Sequence, residues 1–145
     1  MALYTHAART ASGTTGVATW ELRSTSTDKL FVVEIGIFIA AATASTFGLG
    51  RPAAIGVTPT SPVTIQAMDT GDPAGTGTTA VAWGTAPTAP TSSIYLRRIG
   101  LPAAIGNGVI WTFGERGLAV PISSSLVIYN LATNSVADIY VVVDE

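Results

Sequence analysis

Residues 30–40 read LFVVEIGIFIA, and every odd position in the run is large and apolar: Phe31, Val33, Ile35, Ile37 and Ile39. A period of two is the signature of a pleated strand, in which successive side chains point to opposite faces. The Val and Ile content points the same way, because β-branched side chains are stiff in a helix and pack well on a pleated surface. The even positions carry Leu30, Val32 and Phe38, interrupted by Glu34 and Gly36. A strand that is largely apolar on both faces sits centrally in its sheet or meets a partner with its second face. A fold built around it needs further strands to cover it.

The rest of the chain supplies them. Ala18, Trp20 and Leu22 alternate with Thr19, Glu21 and Arg23, the pattern of a half-buried strand. Further strands are predicted at 46–51, 63–68, 80–84 (with Trp83), 93–99 and 109–114 (with Trp111 and Phe113). Segments 124–131 and 136–143 read as a final pair joined at Asn134. Gly and Pro punctuate the intervals and no helical period is sustained. The prediction is an all-β fold: an antiparallel two-sheet sandwich, jelly-roll-like, with eight or nine short strands in one domain over residues 17–145. Residues 1–16 hold no sustained period and read as an extended N-terminal arm. The heptapeptide at 50–56, GRPAAIG, recurs at 100–106 as GLPAAIG with six of seven residues the same, so a duplicated half-sandwich would place the copies at equivalent corners.

Composition narrows the function. The chain has 145 residues, no Cys, 48% hydrophobic and 11% charged residues, and a net charge of -2. Disulfides and thiolate metal sites are excluded. A nucleic-acid partner is disfavoured, since that demands a clustered basic face. The longest uncharged stretch, residues 35–50, is too short and polar for a membrane-spanning helix. No secretory signal is expected either, because no apolar run follows residues 1–9. A folded monomer of 14.8 kDa exposes roughly 7,000 Å², and only 7 Lys and Arg with 9 Asp and Glu are available to serve it. With 22 Ala, 21 Thr, 15 Gly and 11 Ser, that surface must be small and weakly polar. It suits a protein packed against copies of itself or against a larger assembly.

Candidate chemistry is sparse. The single His6 has no fixed partner in the sequence. Ser26 and Lys29 match S-x-x-K without the companion motifs that chemistry requires, and read as a polar turn. Asp69-Thr70-Gly71 matches the aspartic-protease triplet, but Asp72 follows it, and an Asx-capped turn explains it better. Asp69 and Asp72 alone are too few for a cation. The run Gly75-Thr76-Gly77 lacks the Lys of a phosphate loop. Arg97 and Arg98 are adjacent, so they point to opposite faces of a strand and form no basic patch. Trp20, Trp83 and Trp111 lie in alternating segments and read as core anchors, with an exposed sugar platform as the sharper alternative. No catalytic residue, metal or cofactor is predicted. After Met1, the only large side chains in the arm are Leu3, Tyr4, His6 and Arg9. If ordered, they must lie on another surface, by strand addition to a neighbouring copy or larger assembly.

Several segments carry a resemblance: Trp20-Glu21-Leu22-Arg23, Glu34-Ile35-Gly36, Gly48-Leu49-Gly50-Arg51-Pro52, Asp72-Pro73-Ala74-Gly75-Thr76, Gly117-Leu118-Ala119-Val120-Pro121 and Tyr140-Val141-Val142-Val143-Asp144-Glu145. Over residues 17–145 the chain resembles small structural proteins of tailed bacteriophages, found on virions as capsid decoration (cement) proteins or head-surface modules. The resemblance implies a non-enzymatic homo-oligomer, often a β-sandwich trimer, bound to the major capsid protein on the outer capsid surface. It carries no catalytic residues over. Leu3, Tyr4, His6 and Arg9 are then the predicted capsid or subunit contacts. The alternative is a tail- or fibre-associated module that binds host-surface carbohydrate through exposed aromatics.

Overall fold

The computed structural model describes residues 2–11, 13–132 and 136–145, so the turn expected at Asn134 lies outside the described residues. They form fourteen strands: β1 (Leu3–Arg9), β2 (Ala18–Arg23), β3 (Leu30–Ile39), β4 (Ser45–Gly50), β5 (Val57–Pro59), β6 (Val63–Thr64), β7 (Gln66–Ala67), β8 (Thr78–Ala80), β9 (Trp83–Thr85), β10 (Arg97–Leu101), β11 (Gly108–Thr112), β12 (Leu118–Val120), β13 (Ser125–Asn130) and β14 (Ala137–Asp144). A first sheet runs β11-β3-β14-β1-β7, with β12 also on β3, and a second runs β10-β4-β13-β2-β8-β6. All pairings are antiparallel. The chain is an all-β antiparallel sandwich, as the alternating segments predicted. The count exceeds eight or nine because several strands are two- or three-residue pairings too short to leave a period in the sequence.

The pairings describe one long ribbon folded back on itself. β1 lies on β14, β2 on β13, β3 on β11 and β12, and β4 on β10. Successive rungs alternate between the two sheets, so the ribbon winds around the main core. The sequence reading that joined 124–131 to 136–143 is therefore corrected. β13 and β14 are consecutive but lie in opposite sheets, and each takes its partner from the start of the chain.

The N-terminal arm is also corrected. All seven residues of β1 pair with β14, from Leu3↔Asp144 to Arg9↔Asp138, and Tyr4 is only 3% exposed within the core. Strand addition does occur, but to the chain's own sheet. The total accessible surface of 6946 Å² is close to the value the size scaling gives for a compact monomer.

The core lies between the sheets. Ile35, Ile37, Ile39, Ile139, Val141 and Val143 of the first sheet face Trp20, Leu22, Phe47, Leu49, Leu126 and Ile128 of the second. Strand β3 changes phase within this layer. Leu30 and Val32 are buried, and then Ile35, Ile37 and Ile39 are buried, because the register with β14 slips between Val142↔Glu34 and Val143↔Val32. Val33 is the extra residue of a β-bulge. Phe31 and Val33 are thus taken off the buried face predicted for them, and Leu30 and Val32 take their place.

Residues 63–67 close one side of the sandwich. β6 joins the second sheet, β7 joins the first, and Ile65 between them is buried. The two seven-residue repeats leave opposite ends of the antiparallel β4–β10 pair. Gly48 faces Arg98 across that pair, which is the offset of 50 itself, so a local dyad relates the two strands.

Candidate functional site

The two outer faces of the sandwich differ. That of the second sheet is covered by the excursion between β4 and β10, whose Trp83 and Tyr95 pack with Ala18, Val127, Tyr129 and Leu131 in a second, smaller core. Tyr95 and Tyr129 meet edge to face, with centroids 5.8 Å apart. The Tyr129 hydroxyl donates to the Thr88 carbonyl at 2.7 Å, and burial pushes its phenol well above the ordinary range. Gly50 and Gly48 let this layer down onto the sheet: a Cβ on either would lie 2.7 Å from Pro90 or Leu131 respectively.

Glu21 sits under the same layer and is fully buried, although its alternation had marked it as solvent-facing. Its Oε2 accepts the Trp83 indole N–H at 2.7 Å, and its Oε1 accepts the Gly56 backbone N–H at 3.2 Å. Arg23 lies 3.8 Å from Oε2 and donates to the Gly56 carbonyl at 2.8 Å. A buried carboxylate held this way fastens the excursion to the sheet. Its partners stand 35 and 62 residues away, out of reach of any local pattern.

The four predicted contact residues separate. Tyr4 points into the core. His6 points inward beside it, and its Nδ1 lies 2.6 Å from Thr79 Oγ1 of the second sheet, bridging the layers; burial lowers its pKa. Tyr4 is therefore no surface contact, which corrects that reading, whereas His6 is only half-buried. Leu3 and Arg9 are exposed. Arg9 donates through Nε and Nη2 to both carboxylate oxygens of Asp138 at 2.7 and 2.8 Å, and this pairing holds the Asp138 carboxyl below its usual range.

The other motifs take structural roles. Asp69 Oδ1 accepts the Gly71 N–H at 2.8 Å, an Asx turn. Thr25, Thr27 and Asp28 hydrogen-bond one another across the Ser26–Lys29 turn. The Glu145 carboxylate accepts from the Thr76 and Gly77 N–H groups and the Thr76 hydroxyl. Arg97 shares a face with Leu49 but lies on the edge strand β10, so its guanidinium reaches out over the Phe113 ring, 5.5 Å from its centroid. Trp20 and Trp111 are buried, as predicted for core anchors. Among the described residues no three His, Cys, Asp or Glu side chains are grouped to hold a metal ion.

The remaining surface is studded with large apolar side chains. One end of the sandwich, where β1 and β3 begin, carries Leu3, Phe31, Met68, Ile94 and Ile122, with Met68, Ile94 and Ile122 exposed by 58%, 67% and 51%. Ile94 lines a hollow of about 290 Å³ with Arg51, Pro52, Pro90, Thr91 and Leu96. Sequence reasoning singled out Leu3 here but not Met68, Ile94 and Ile122, because single apolar residues in loops have no period. No family model, curated protein or solved structure matches the chain.

Proposed function

We propose that this chain is a non-enzymatic virion structural protein: a capsid decoration protein that binds the outer surface of a bacteriophage head as a homo-oligomer, most simply a trimer. The observation that carries the reading is the apolar end at Leu3, Phe31, Met68, Ile94 and Ile122 on a surface short of charge. Exposed large apolar side chains on a charge-poor surface mark interaction sites, and interface cores are depleted in charge. Backbone strain supports the same reading. Ser92 and Ser93, immediately before Ile94, and Ser123, immediately after Ile122, hold positive φ values of 60°, 52° and 51°. Such conformations cost about 1–3 kcal/mol each and persist where the fold holds a side chain in a set position. The ribbon-like pairing, β1-β14-β3-β11 against β2-β13-β4-β10, supports reading the sandwich as a jelly roll, an architecture shared by many capsid domains.

In this reading the apolar end beds against the shell and against neighbouring copies, with Leu3 and Arg51 within the contact zone. The mechanism is binding: bridging adjacent capsid subunits resists internal pressure. The test is a pair of variants, Ile94→Asp and Ile122→Asp. Both side chains are exposed, so melting temperature should stay within about 2 °C of the parent, while light-scattering mass falls from a multiple of 14.8 kDa to that of one chain. Unchanged oligomers in both variants would overturn the assignment of this end.

A further inference from the structure

Among the described residues nothing covers the outer face of the first sheet, and it carries two aromatic rings laid side by side. Tyr140 lies across the gap left by Gly36 on β3, where a Cβ would fall 1.9 Å from the ring. Phe38 lies in the same way across Gly108 on β11, where a Cβ would fall 2.3 Å from its ring. The two rings are parallel to within 14°, with centroids 6.4 Å apart. Each ring thus lies over a glycine of the neighbouring strand, and together they put apolar ring surface on this face. Glu34 fixes one end of it, accepting the Tyr140 hydroxyl at 2.5 Å. The Arg9–Asp138 pair borders the other, since Asp138 is the cross-strand partner of both Phe38 and Arg9. Ala7, opposite Tyr140, keeps the floor low. The groove lined by Ala7, Arg9, Phe38, Asp138 and Tyr140 has a volume of about 220 Å³.

We propose that this groove binds a neutral hexopyranose ring of a glycan, an activity beyond capsid attachment and independent of it. A pyranose presents an apolar C–H face and a rim of hydroxyls. The paired rings match the first, in the way amphipathic ligands use aromatic side chains. The Asp138 carboxylate and the Arg9 guanidinium match the second, one accepting from and one donating to vicinal hydroxyls. The volume holds one ring. The charges choose among sugars: Glu34 and Asp138 against Arg9 leave the site net negative, which disfavours uronic and sialic acids.

A single small ring on an open groove binds with a Kd of about 1–10 mM. The test is a titration of the isotope-labelled full chain with the methyl glycosides of glucose, galactose, mannose and N-acetylglucosamine, followed by amide chemical shifts. At least one should give saturable shifts centred on Ala7, Phe38, Asp138 and Tyr140. Phe38→Ala and Asp138→Asn should each weaken binding about tenfold while leaving distant amides unmoved; the second changes only an exposed side chain, so it tests the site even if the first perturbs the fold. Three results would overturn the proposal: no saturable shift in this groove with any of the four glycosides, affinity unchanged in both variants, or tighter binding of methyl glucuronide than of methyl glucoside. Shifts at the same residues produced by raising protein concentration alone would make the face a contact between copies and equally overturn it.

Discussion

Replacing Trp83 by Phe tests the buried carboxylate at its most accessible partner. Phe keeps an aromatic ring over Gly56, whose added Cβ would lie 2.4 Å from Trp83 Cδ1, so the close approach of backbone to ring is preserved. What is lost is the 2.7 Å hydrogen bond from the indole N–H to Glu21 Oε2. Hydrogen bonds to charged groups contribute about 1.5–3 kcal/mol. The carboxylate is fully buried, so water cannot replace the lost donor without opening the layer. The smaller ring of a half-buried side chain adds about 0.5 kcal/mol of lost apolar contact. The sum is about 2–3.5 kcal/mol, which at this chain length lowers Tm by about 5–12 °C. Urea denaturation with a fitted slope separates this from a change in the unfolded state. A cycle with Glu21→Gln should return a coupling of at least about 1 kcal/mol, because the two side chains touch. A loss below about 0.5 kcal/mol for Trp83→Phe, or strictly additive single changes, would refute the view that Glu21 fastens the excursion.

Three further outcomes follow from the same contacts. Tyr4→Ala should cost about 3–5 kcal/mol by equilibrium denaturation, the cost of a large buried aromatic, whereas a free arm would leave stability unchanged. For His6, burial depresses the folded-state pKa, so the unfolded chain takes up the proton first; stability is therefore full above about pH 6.5 and falls as the pH drops below it. Denaturation midpoints between pH 7.5 and pH 5, at roughly half-unit steps, should show this fall, and His6→Gln should flatten it. Gly36→Ala should drive the Tyr140 ring away from Glu34, and the phenol, held up at about 12 by burial and by the Glu34 hydrogen bond and charge, should titrate nearer its ordinary value by ultraviolet absorbance.

Strands such as β2, β3 and β11 were legible because five or more residues alternate and each puts large apolar side chains into the core between the sheets, although both faces of β2 are buried. β1 was not legible. Its inward row is Tyr4, His6 and Ala8, too mixed to register as apolar, and it is held by pairing with β14, 129 to 141 residues away. Chain proximity misled at β13 and β14, because alternation gives the face of a strand but not its neighbour. The bulge at Val33 hid in a run apolar on both faces, where a phase change leaves no trace. Of the candidate surfaces, Leu3 and Arg9 were found as outliers in a small-residue segment. Phe38, Tyr140 and their two glycines were not, because Gly36 and Gly108 take their meaning from rings on the neighbouring strand.

The proposed attachment to a capsid is best tested by sedimentation with heads. Under the proposed function, purified bacteriophage heads stripped of their surface proteins should carry the added protein into the pellet. Binding should saturate at a fixed copy number tied to the symmetry of the shell, and the Ile94→Asp, Ile122→Asp double variant should stay in the supernatant. Wild-type protein that remains in the supernatant at all concentrations, or that pellets without saturating, would contradict the account.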